Sequence, residues 1–194
     1  MNTEDVLALF KEYGALLNGH FILSSGRHAD TYLNKSIISQ YPAPTETLCR
    51  ALAQKIKDEL GDQPVSVISP AMGAIIFGYE TARHLELPFM FLERVDGEFT
   101  FRRGFGLEEG APVVIVEDIV STGLSSREAI AAVRKEGGNP LALACLIDRS
   151  GGTADVGIPM LPLAELDVES WEADNLPQHL KDIPAVKPGS RGLK

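Results

Sequence analysis

The stretch VVIVEDIVSTGLSS, residues 113–126, is the strongest indication of fold class in this chain. It begins with four branched apolar residues, a pattern typical of a strand that is buried on both faces of a parallel sheet. Two adjacent acids, Glu117 and Asp118, end this run, and a glycine among hydroxyl side chains then leads into a predicted helix. Because buried charges are costly unless something pairs with them, the stretch predicts a ligand site at the end of a strand.

The residues after the two acids predict a phosphate site. Ser121, Thr122 and Ser125 supply hydroxyl groups, and Gly123 permits close approach of the backbone. The N-terminus of the following helix offers free N–H groups to an anion. The two carboxylates cannot bind phosphate, but they suit the hydroxyl groups of a sugar or a divalent metal held through water. The stretch therefore indicates a ligand with a phosphate at one end and a ribose-like diol nearby.

A second interpretation assigns no ligand to the same stretch. Ser125 and Glu128 would form a capping box at the start of the helix, and the two acids would be solvated loop residues. We expect the capping box to form, but it leaves adjacent acids at the end of a buried strand unexplained, so we favour the ligand site. Neither a G-x-x-x-x-G-K-[ST] motif nor a G-x-G-x-x-G motif after a strand occurs in the chain, which excludes P-loop and dinucleotide-binding folds.

The flanking segments predict an α/β fold, with helices on both faces of a central parallel sheet. The predicted strands are residues 64–69, 88–95, 111–118 and 141–149, and the predicted helices of the sheet region are residues 73–85 and 125–138. Asp96-Gly97 predicts a hairpin turn into a further short strand. Nearer the N-terminus, we expect Asn2 or Thr3 to cap a first helix and Thr45 to cap a second helix within residues 42–60.

The chain is expected to form one domain over residues 1–194. Within it, residues 1–42 are an N-terminal helix and a small hood segment, residues 43–166 the α/β core, and residues 167–194 a proline-punctuated tail. The length of 194 residues suits one domain of ordinary size.

Composition narrows the partners and the compartment. A net charge of −9 argues against bulk binding to nucleic acid or to an anionic membrane. No apolar run is long enough to span a bilayer, and acids stand where a signal peptide would be basic, so we expect a cytoplasmic protein. Cys49 and Cys145 lie far apart in apolar surroundings and are interpreted as reduced core thiols. The four histidines show no metal-ligand spacing.

The chain resembles the orotate phosphoribosyltransferases, a family of type I phosphoribosyltransferases. The opening stretch is similar to the phosphoribosyl-diphosphate signature of that superfamily. Four further segments resemble parts of the family: GHFILSSGRHADTYLNK its base-binding segment, SPAMGAIIFGYETA its diphosphate loop, FRRGF its flexible catalytic loop, and LIDRSGG the strand end that carries a base-binding arginine. The similarity extends from Gly19 to the VKPGSR tail. It implies the type I fold, with a flexible hairpin loop and a small N-terminal hood.

The resemblance implies a role for each matched position. Glu117 and Asp118 would hold the ribose hydroxyls, and Arg94 the diphosphate. The 5-phosphate would be surrounded by Ile119, Val120, Ser121, Thr122, Gly123, Leu124 and Ser125. Ser121 and Arg149 would contact orotate, and Lys35 would line the same base pocket. Arg149 suits this role because its guanidinium group matches a planar carboxylate. Arg102 and Arg103 on the hairpin loop, together with Asp118, would be the catalytic residues.

This chain departs from the family pattern in its lysines. The best-known members carry one catalytic lysine on the flexible loop and another in the diphosphate loop, whereas this chain has no lysine between Lys57 and Lys135, and Met72 occupies the diphosphate-loop position. We expect a short-loop branch in which Arg102 and Arg103 neutralise the diphosphate. One alternative is that the activity of this chain is altered, and another is an exposed hairpin whose arginines are simply solvated.

The resemblance implies transfer of a phosphoribosyl group from 5-phospho-α-D-ribose 1-diphosphate to orotate in de novo pyrimidine (UMP) biosynthesis. The products would be orotidine 5′-monophosphate and diphosphate. Mg²⁺ would be held mainly by the substrate and water rather than by a protein cage, and the enzyme would be a homodimer. Two alternatives stay open: a purine phosphoribosyltransferase, and a regulator that binds phosphoribosyl diphosphate without turnover.

Overall fold

The computed structural model of the chain describes residues 1–23 and 25–188. Ser24 of the GHFILSSGRHADTYLNK segment and residues 189–194, which include the end of the VKPGSR tail, lie outside the described residues. The elements in chain order are α1 (Thr3–Glu12), β1 (Leu16–Ile22), β2 (His28–Leu33), α2 (Lys35–Ile38), α3 (Pro42–Leu60), β3 (Ser66–Pro70), α4 (Ile75–Leu85), β4 (Phe89–Val95), β5 (Glu98–Phe101), β6 (Pro112–Val120), α5 (Leu124–Lys135), β7 (Asn139–Asp148), β8 (Met160–Glu165) and α6 (Gln178–Lys181).

A six-stranded sheet forms the centre of the fold, in the order β5-β4-β3-β6-β7-β8. Its neighbouring strands are parallel except for β4 and β5, which form the antiparallel hairpin predicted at Asp96-Gly97. The chain moves from β3 outward to β4 and β5 and then returns to place β6 on the other side of β3. In such sheets ligands bind where the strand order reverses, which here is the crevice between the carboxyl ends of β3 and β6.

The apolar run of β6 is continuous because helices cover both faces of the sheet. Val114 and Val116 pack in a core that contains buried residues of α1, α3 and α4. Val113 and Ile115 point to the opposite face and pack in a core with buried residues of α5. Each of these side chains is fully buried, which contributes roughly 1.5–3 kcal/mol per residue. The predicted α/β fold with a helix-flanked parallel sheet is confirmed.

A small N-terminal hood lies beside the sheet. Strands β1 and β2 pair as an antiparallel hairpin, and the backbone of His28 pairs with that of Trp171 in the tail. Nε2 of His20 lies 2.6 Å from Nδ1 of His28, and Nδ1 of His20 lies 2.8 Å from the carbonyl oxygen of Ile183. The described part of the tail therefore packs along the hood.

Two features of the helices differ from, or sharpen, the sequence prediction. Asn2 caps α1 through a capping box with Asp5, which confirms one of the two residues predicted for this cap. The prediction that Thr45 caps α3 is wrong, because the helix already begins at Pro42, a residue whose fixed φ favours the first helical turn. The Thr45 hydroxyl is instead buried and donates a hydrogen bond to the carbonyl oxygen of Ile38, at 3.1 Å.

Strand β8 was not predicted from the sequence. It contains Pro162, which cannot donate a ladder hydrogen bond and so argues against a strand. The proline is tolerated because β8 is an edge strand, paired with β7 alone. Proline is typical of this position in a sheet.

Both cysteines are free and buried, as predicted. Burial raises the pKa of the Cys49 thiol to about 12 and raises that of Cys145 as well, so both thiols stay protonated. Among the described residues, no helix is both long enough and apolar enough to cross a membrane.

Candidate active site

The acids Glu117 and Asp118 are buried within β6. Only 6% of Glu117 and 1% of Asp118 is exposed to solvent. The strand continues to Val120, so the interpretation of these acids as solvated loop residues is wrong. The backbone N–H of Ile119 donates to Oδ1 of Asp118 at 2.6 Å, and the N–H of Asp118 donates to Oε2 of Glu117 at 3.3 Å. These local bonds hold both carboxylates at the carboxyl end of the strand.

The buried position changes the protonation of Glu117. Burial, with a smaller effect from the adjacent Asp118 carboxylate, raises the pKa of Glu117 to about 8. The ammonium group of Lys35 opposes this shift, but it does not cancel it. The glutamate is therefore poised to change its charge near neutral pH when a ligand alters its surroundings.

Lys35 supplies the cation that faces the acid pair. Its Nζ lies 2.6 Å from Oδ2 of Asp118, although the angles between them are not those of a hydrogen bond. Oδ2 is a buried oxygen that accepts no hydrogen bond from a described residue. Lys35 begins α2 of the hood, so this ion pair joins the hood to the sheet. The structure places Lys35 beside Asp118, and its contact with orotate stays a prediction.

The loop at residues 71–74, between β3 and α4, lies against this ion pair. A Cβ atom on Gly73 would collide with Oδ2 of Asp118 and would lie 2.9 Å from Nζ of Lys35. Only glycine allows the backbone to approach so closely. The loop at the end of β3 and the acids near the end of β6 therefore meet in the crevice where the strand order reverses.

The turn that follows β6 forms a small cavity with the start of α5. The cavity has a volume of about 270 Å³, and we call it the Arg94 cavity; it is lined by Arg94, Glu117, Ile119, Val120, Ser121, Thr122, Gly123, Leu124, Ser125, Ser126 and Glu128. Gly123 has a φ of 71° and is the N-cap residue of α5. Seven of these residues are those for which the sequence predicts contact with the 5-phosphate.

The predicted capping box between Ser125 and Glu128 is wrong. The helix begins at Leu124, two residues earlier than the capping box requires, and its N-cap residue Gly123 has no side chain with which to cap it. Ser125 therefore lies within the first turn, where its hydroxyl is available to a ligand. The carboxylate of Glu128 forms an ion pair with Arg94 on β4.

Arg94 lies at the rim of this cavity, but its charge is already engaged. Besides its ion pair with Glu128, it donates to the carbonyl oxygen of Gly97 at 2.6 Å. Its guanidinium carbon lies 4.1 Å from the ring centre of Phe99. Contact between Arg94 and a phosphate group of the ligand would therefore compete with Glu128.

A second cavity, of about 460 Å³, lies on the other side of Ser121 and Thr122. We call it the Arg149 cavity, and its lining includes Ser121, Arg149, Leu23 of the hood and Ser170 of the tail. Burial lowers the pKa of Arg149, although a guanidinium stays charged at neutral pH. Among the described residues, no carboxylate lies within 4.0 Å of it. A half-buried guanidinium without an ion partner suits an anionic ligand.

The two loop arginines line neither cavity. Arg103 forms a bidentate ion pair with Glu93 on β4, at 2.7 Å and 3.2 Å, and Arg102 lies 4.0 Å from the same carboxylate. This pairing, mainly with Arg103, lowers the pKa of Glu93. The loop that follows packs its Phe105 ring against Phe91, with 5.3 Å between ring centres. The catalytic role of the two arginines stays a prediction.

Asp148 is a site residue that the sequence interpretation did not assign. It is fully buried at the end of β7 and accepts hydrogen bonds from the backbone N–H of Ser150, at 2.8 Å, and of Gly152, at 3.1 Å. It thereby shapes the turn that carries Arg149. An acid at a strand end followed by two glycines was the signal in the sequence.

Comparison with known proteins relates this geometry to one family. The family described as "Phosphoribosyl transferase domain" matches residues 38–174. Orotate phosphoribosyltransferases from Phenylobacterium zucineum and Caulobacter vibrioides are 56% and 55% identical to this chain, and each alignment covers 100% of both proteins. The crystal structure of orotate phosphoribosyltransferase from Aeropyrum pernix has a TM-score of 0.69 at 24% identity and covers 83% of this chain and 93% of its own.

Proposed function

The chain belongs to the phosphoribosyltransferase family, within its orotate phosphoribosyltransferases, and from this membership we propose that it joins orotate to the ribose of 5-phospho-α-D-ribose 1-diphosphate. N1 of orotate forms a bond to C1 of the ribose as the C1–O bond to diphosphate breaks. The electron pair of that bond leaves with the diphosphate, and the N1 proton is released to water. The products are orotidine 5′-monophosphate and diphosphate.

One observation carries this proposal: Ser121 and Thr122 line two cavities of different chemistry. The Arg94 cavity offers hydroxyls and the start of α5, which suit the 5-phosphate. The Arg149 cavity offers an unpaired guanidinium, which suits the carboxylate of orotate. Glu117 and Asp118, at the carboxyl end of β6, would hold the ribose hydroxyls between phosphate and base.

The protein contributes alignment and charge more than proton transfer. The Arg94 cavity would hold the 5-phosphate and the Arg149 cavity the base, with the ribose between them. This positioning accounts for much of the expected acceleration. The hydroxyls of the ribose would donate to the buried carboxylates, including the Oδ2 atom of Asp118 that lacks a donor. Arg102 and Arg103 would neutralise the departing diphosphate after leaving Glu93.

Mg²⁺ is part of this proposal. Within the described residues, no cluster of three or more His, Cys, Asp or Glu side chains is arranged to hold a metal. Glu117 and Asp118 nevertheless supply two adjacent carboxylates, which fit a hydrated cation whose other ligands come from the substrate. When bound, Mg²⁺ would supply positive charge to the diphosphate.

We also propose that the enzyme is a cytoplasmic homodimer that serves de novo pyrimidine biosynthesis. An exposed apolar surface supports the dimer: Ile76 and Tyr79 on α4 line one groove with Pro42, and Met72 is exposed nearby in sequence. Exposed apolar surface of this kind is typical of protein–protein contacts.

The proposal is tested by the loss of orotate absorbance when the protein is mixed with orotate, phosphoribosyl diphosphate and Mg²⁺. We expect turnover by the natural chain. We expect the KM for orotate to rise by at least about tenfold in Arg149→Ala, because the carboxylate loses a charge-assisted pair. Arg134→Ala, on the exposed end of α5, is the matched control and should behave as the natural chain.

Other outcomes would support the alternatives. Turnover of a purine base in place of orotate would identify a purine phosphoribosyltransferase. Tight binding of phosphoribosyl diphosphate without turnover of any base would identify a sensor.

A further inference from the structure

The position of Lys35 assigns it a different partner from orotate. Its side chain is 39% exposed, whereas the Asp118 side chain that it contacts is 1% exposed. The ammonium therefore lies at the mouth of the crevice, with a buried acid behind it and solvent in front. Neither the Arg149 cavity nor the Arg94 cavity is lined by Lys35.

The same ammonium lies against the loop at residues 71–74. A Cβ atom on Gly73 would be 2.9 Å from both Cε and Nζ of Lys35, so the lysine is packed on the backbone of this loop. Met72, the preceding residue, is 80% exposed. Lys35 thus brings a positive charge from the hood to the end of β3, where the loop at residues 71–74 contains no lysine of its own.

Other described cations around the site have partners or face elsewhere. Arg94 is paired with Glu128, and Arg102 and Arg103 lie against Glu93. Arg127 donates to backbone carbonyl oxygens, and Arg149 lines the other cavity. Among the described ion pairs, the one that involves a ribose-binding acid is that of Lys35 with Asp118.

We propose that Lys35 binds the diphosphate of phosphoribosyl diphosphate and stabilises its charge as the C1–O bond breaks. This inference rests on the proposed function. Ribose hydroxyls take the place of the ammonium at Oδ2 of Asp118, and Nζ turns to the diphosphate oxygens beside Gly73. Lys35 keeps its proton throughout, and the electron pair of the broken bond stays on the diphosphate. The lysine of the hood thereby supplies the charge that the loop at residues 71–74 lacks.

Ligand binding separates this role from contact with orotate. Calorimetry would compare the natural chain with Lys35→Met, using Mg²⁺-diphosphate in one titration and orotidine 5′-monophosphate in another. We expect diphosphate to bind about a hundredfold more weakly to the variant, since the half-buried positive charge of Lys35 is lost. The nucleotide contains the base, ribose and 5-phosphate but no diphosphate, so its affinity should not fall by more than about twofold, and any larger change should be a gain, because its ribose hydroxyls no longer have to displace the ammonium from Asp118. Unchanged diphosphate binding, or an equal loss of both ligands, would overturn the proposal.

A second variant tests whether charge at this place is what matters. Met72→Lys in the Lys35→Met background places an ammonium on the neighbouring exposed position, and we expect diphosphate affinity to recover by at least about tenfold. A double variant that keeps the oligomeric state of the natural chain but binds diphosphate no better than Lys35→Met would overturn the assignment. Lys55→Met is the matched control, because Lys55 donates to the carbonyl oxygen of Pro162 at 2.6 Å, away from the site, and its loss should leave both titrations unchanged.

Two controls keep the tests separate. Thermal unfolding would establish that Lys35→Met is folded, and Lys35→Arg, which retains the charge, should bind diphosphate better than Lys35→Met. Failure of the natural chain to consume orotate would contradict the proposed function. Normal turnover by the natural chain together with unimpaired diphosphate binding by Lys35→Met would contradict this inference alone.

Discussion

Arg94 on β4 and Glu128 on α5 form an ion pair across the rim of the cavity that we assign to the 5-phosphate. Both side chains are about two-fifths exposed, at 43% and 38%, so the pair contributes little to stability. Its functional consequence is larger, because a carboxylate beside a phosphate site repels the ligand. The pair therefore sets how much of the Arg94 charge is available to the substrate.

Glu128→Gln is expected to strengthen binding of orotidine 5′-monophosphate by about fivefold, since one negative charge near the phosphate is removed and Arg94 is released. Fluorescence or calorimetric titration would measure the dissociation constant. Glu136→Gln, beyond the other end of the same helix, removes the same charge outside the cavity and should have little effect. Weaker nucleotide binding in Glu128→Gln would mean that Glu128 positions Arg94 productively.

Glu117→Gln is expected to change how stability depends on pH. The pKa of Glu117 is raised to about 8 in the folded protein, above its ordinary value, so the folded state favours the protonated acid. This contribution to the free energy of unfolding is fully present below about pH 4.3, the ordinary value for glutamate, and is lost as pH rises through 8. The natural chain should therefore lose stability relative to Glu117→Gln between those limits, by an amount on the order of a few kcal/mol.

Denaturant unfolding of both proteins at several pH values would test this. Taking the difference between them cancels the titration of the groups that do not interact with Glu117. A difference that does not vary with pH would show that Glu117 titrates normally in the folded state.

Gly73→Ala is expected to reduce phosphoribosyl diphosphate affinity by about a hundredfold, because the added Cβ collides with Asp118 and displaces the loop at residues 71–74. Gly106→Ala is the matched control: its added Cβ would meet one atom, of Glu136, at an ordinary 3.5 Å. Binding would be measured by calorimetry with Mg²⁺ present. Equal effects of the two substitutions would mean that close approach at Gly73 does not serve the ligand.

The double variant Arg102→Ala, Arg103→Ala is expected to lower kcat by at least about tenfold while orotidine 5′-monophosphate binds normally, since only the departing diphosphate would lose charge stabilisation. Steady-state assays and nucleotide titration would be made together. Glu93→Gln, which removes the partner of both arginines, should not reproduce the loss. Full turnover by the double variant would leave these arginines as solvated residues of the hairpin.

Much of the fold and part of the site could be predicted from local sequence. The run at residues 113–116 is apolar on every residue because both faces of β6 are covered, and Asp96-Gly97 predicts its hairpin because the turn geometry is local. The acids Glu117 and Asp118 and the turn at Gly123 were identified because their chemistry and spacing are contiguous in the chain. Edge strand β8 was not predicted, because a proline such as Pro162 within a run of residues argues against a strand.

The partners of the charged side chains could not be predicted, because they depend on tertiary packing. Lys35 meets Asp118, Arg94 meets Glu128, and Arg103 meets Glu93, in each case through contacts between different elements. In the unfolded chain, charged side chains interact only weakly through water, so local sequence does not indicate which partner each one will have. Folding brings β3 and β6 together, buries the two acids and places the hood lysine beside them. Local sequence is therefore enough to identify which groups the site contains, whereas packing sets which of them are paired and which remain available to a ligand.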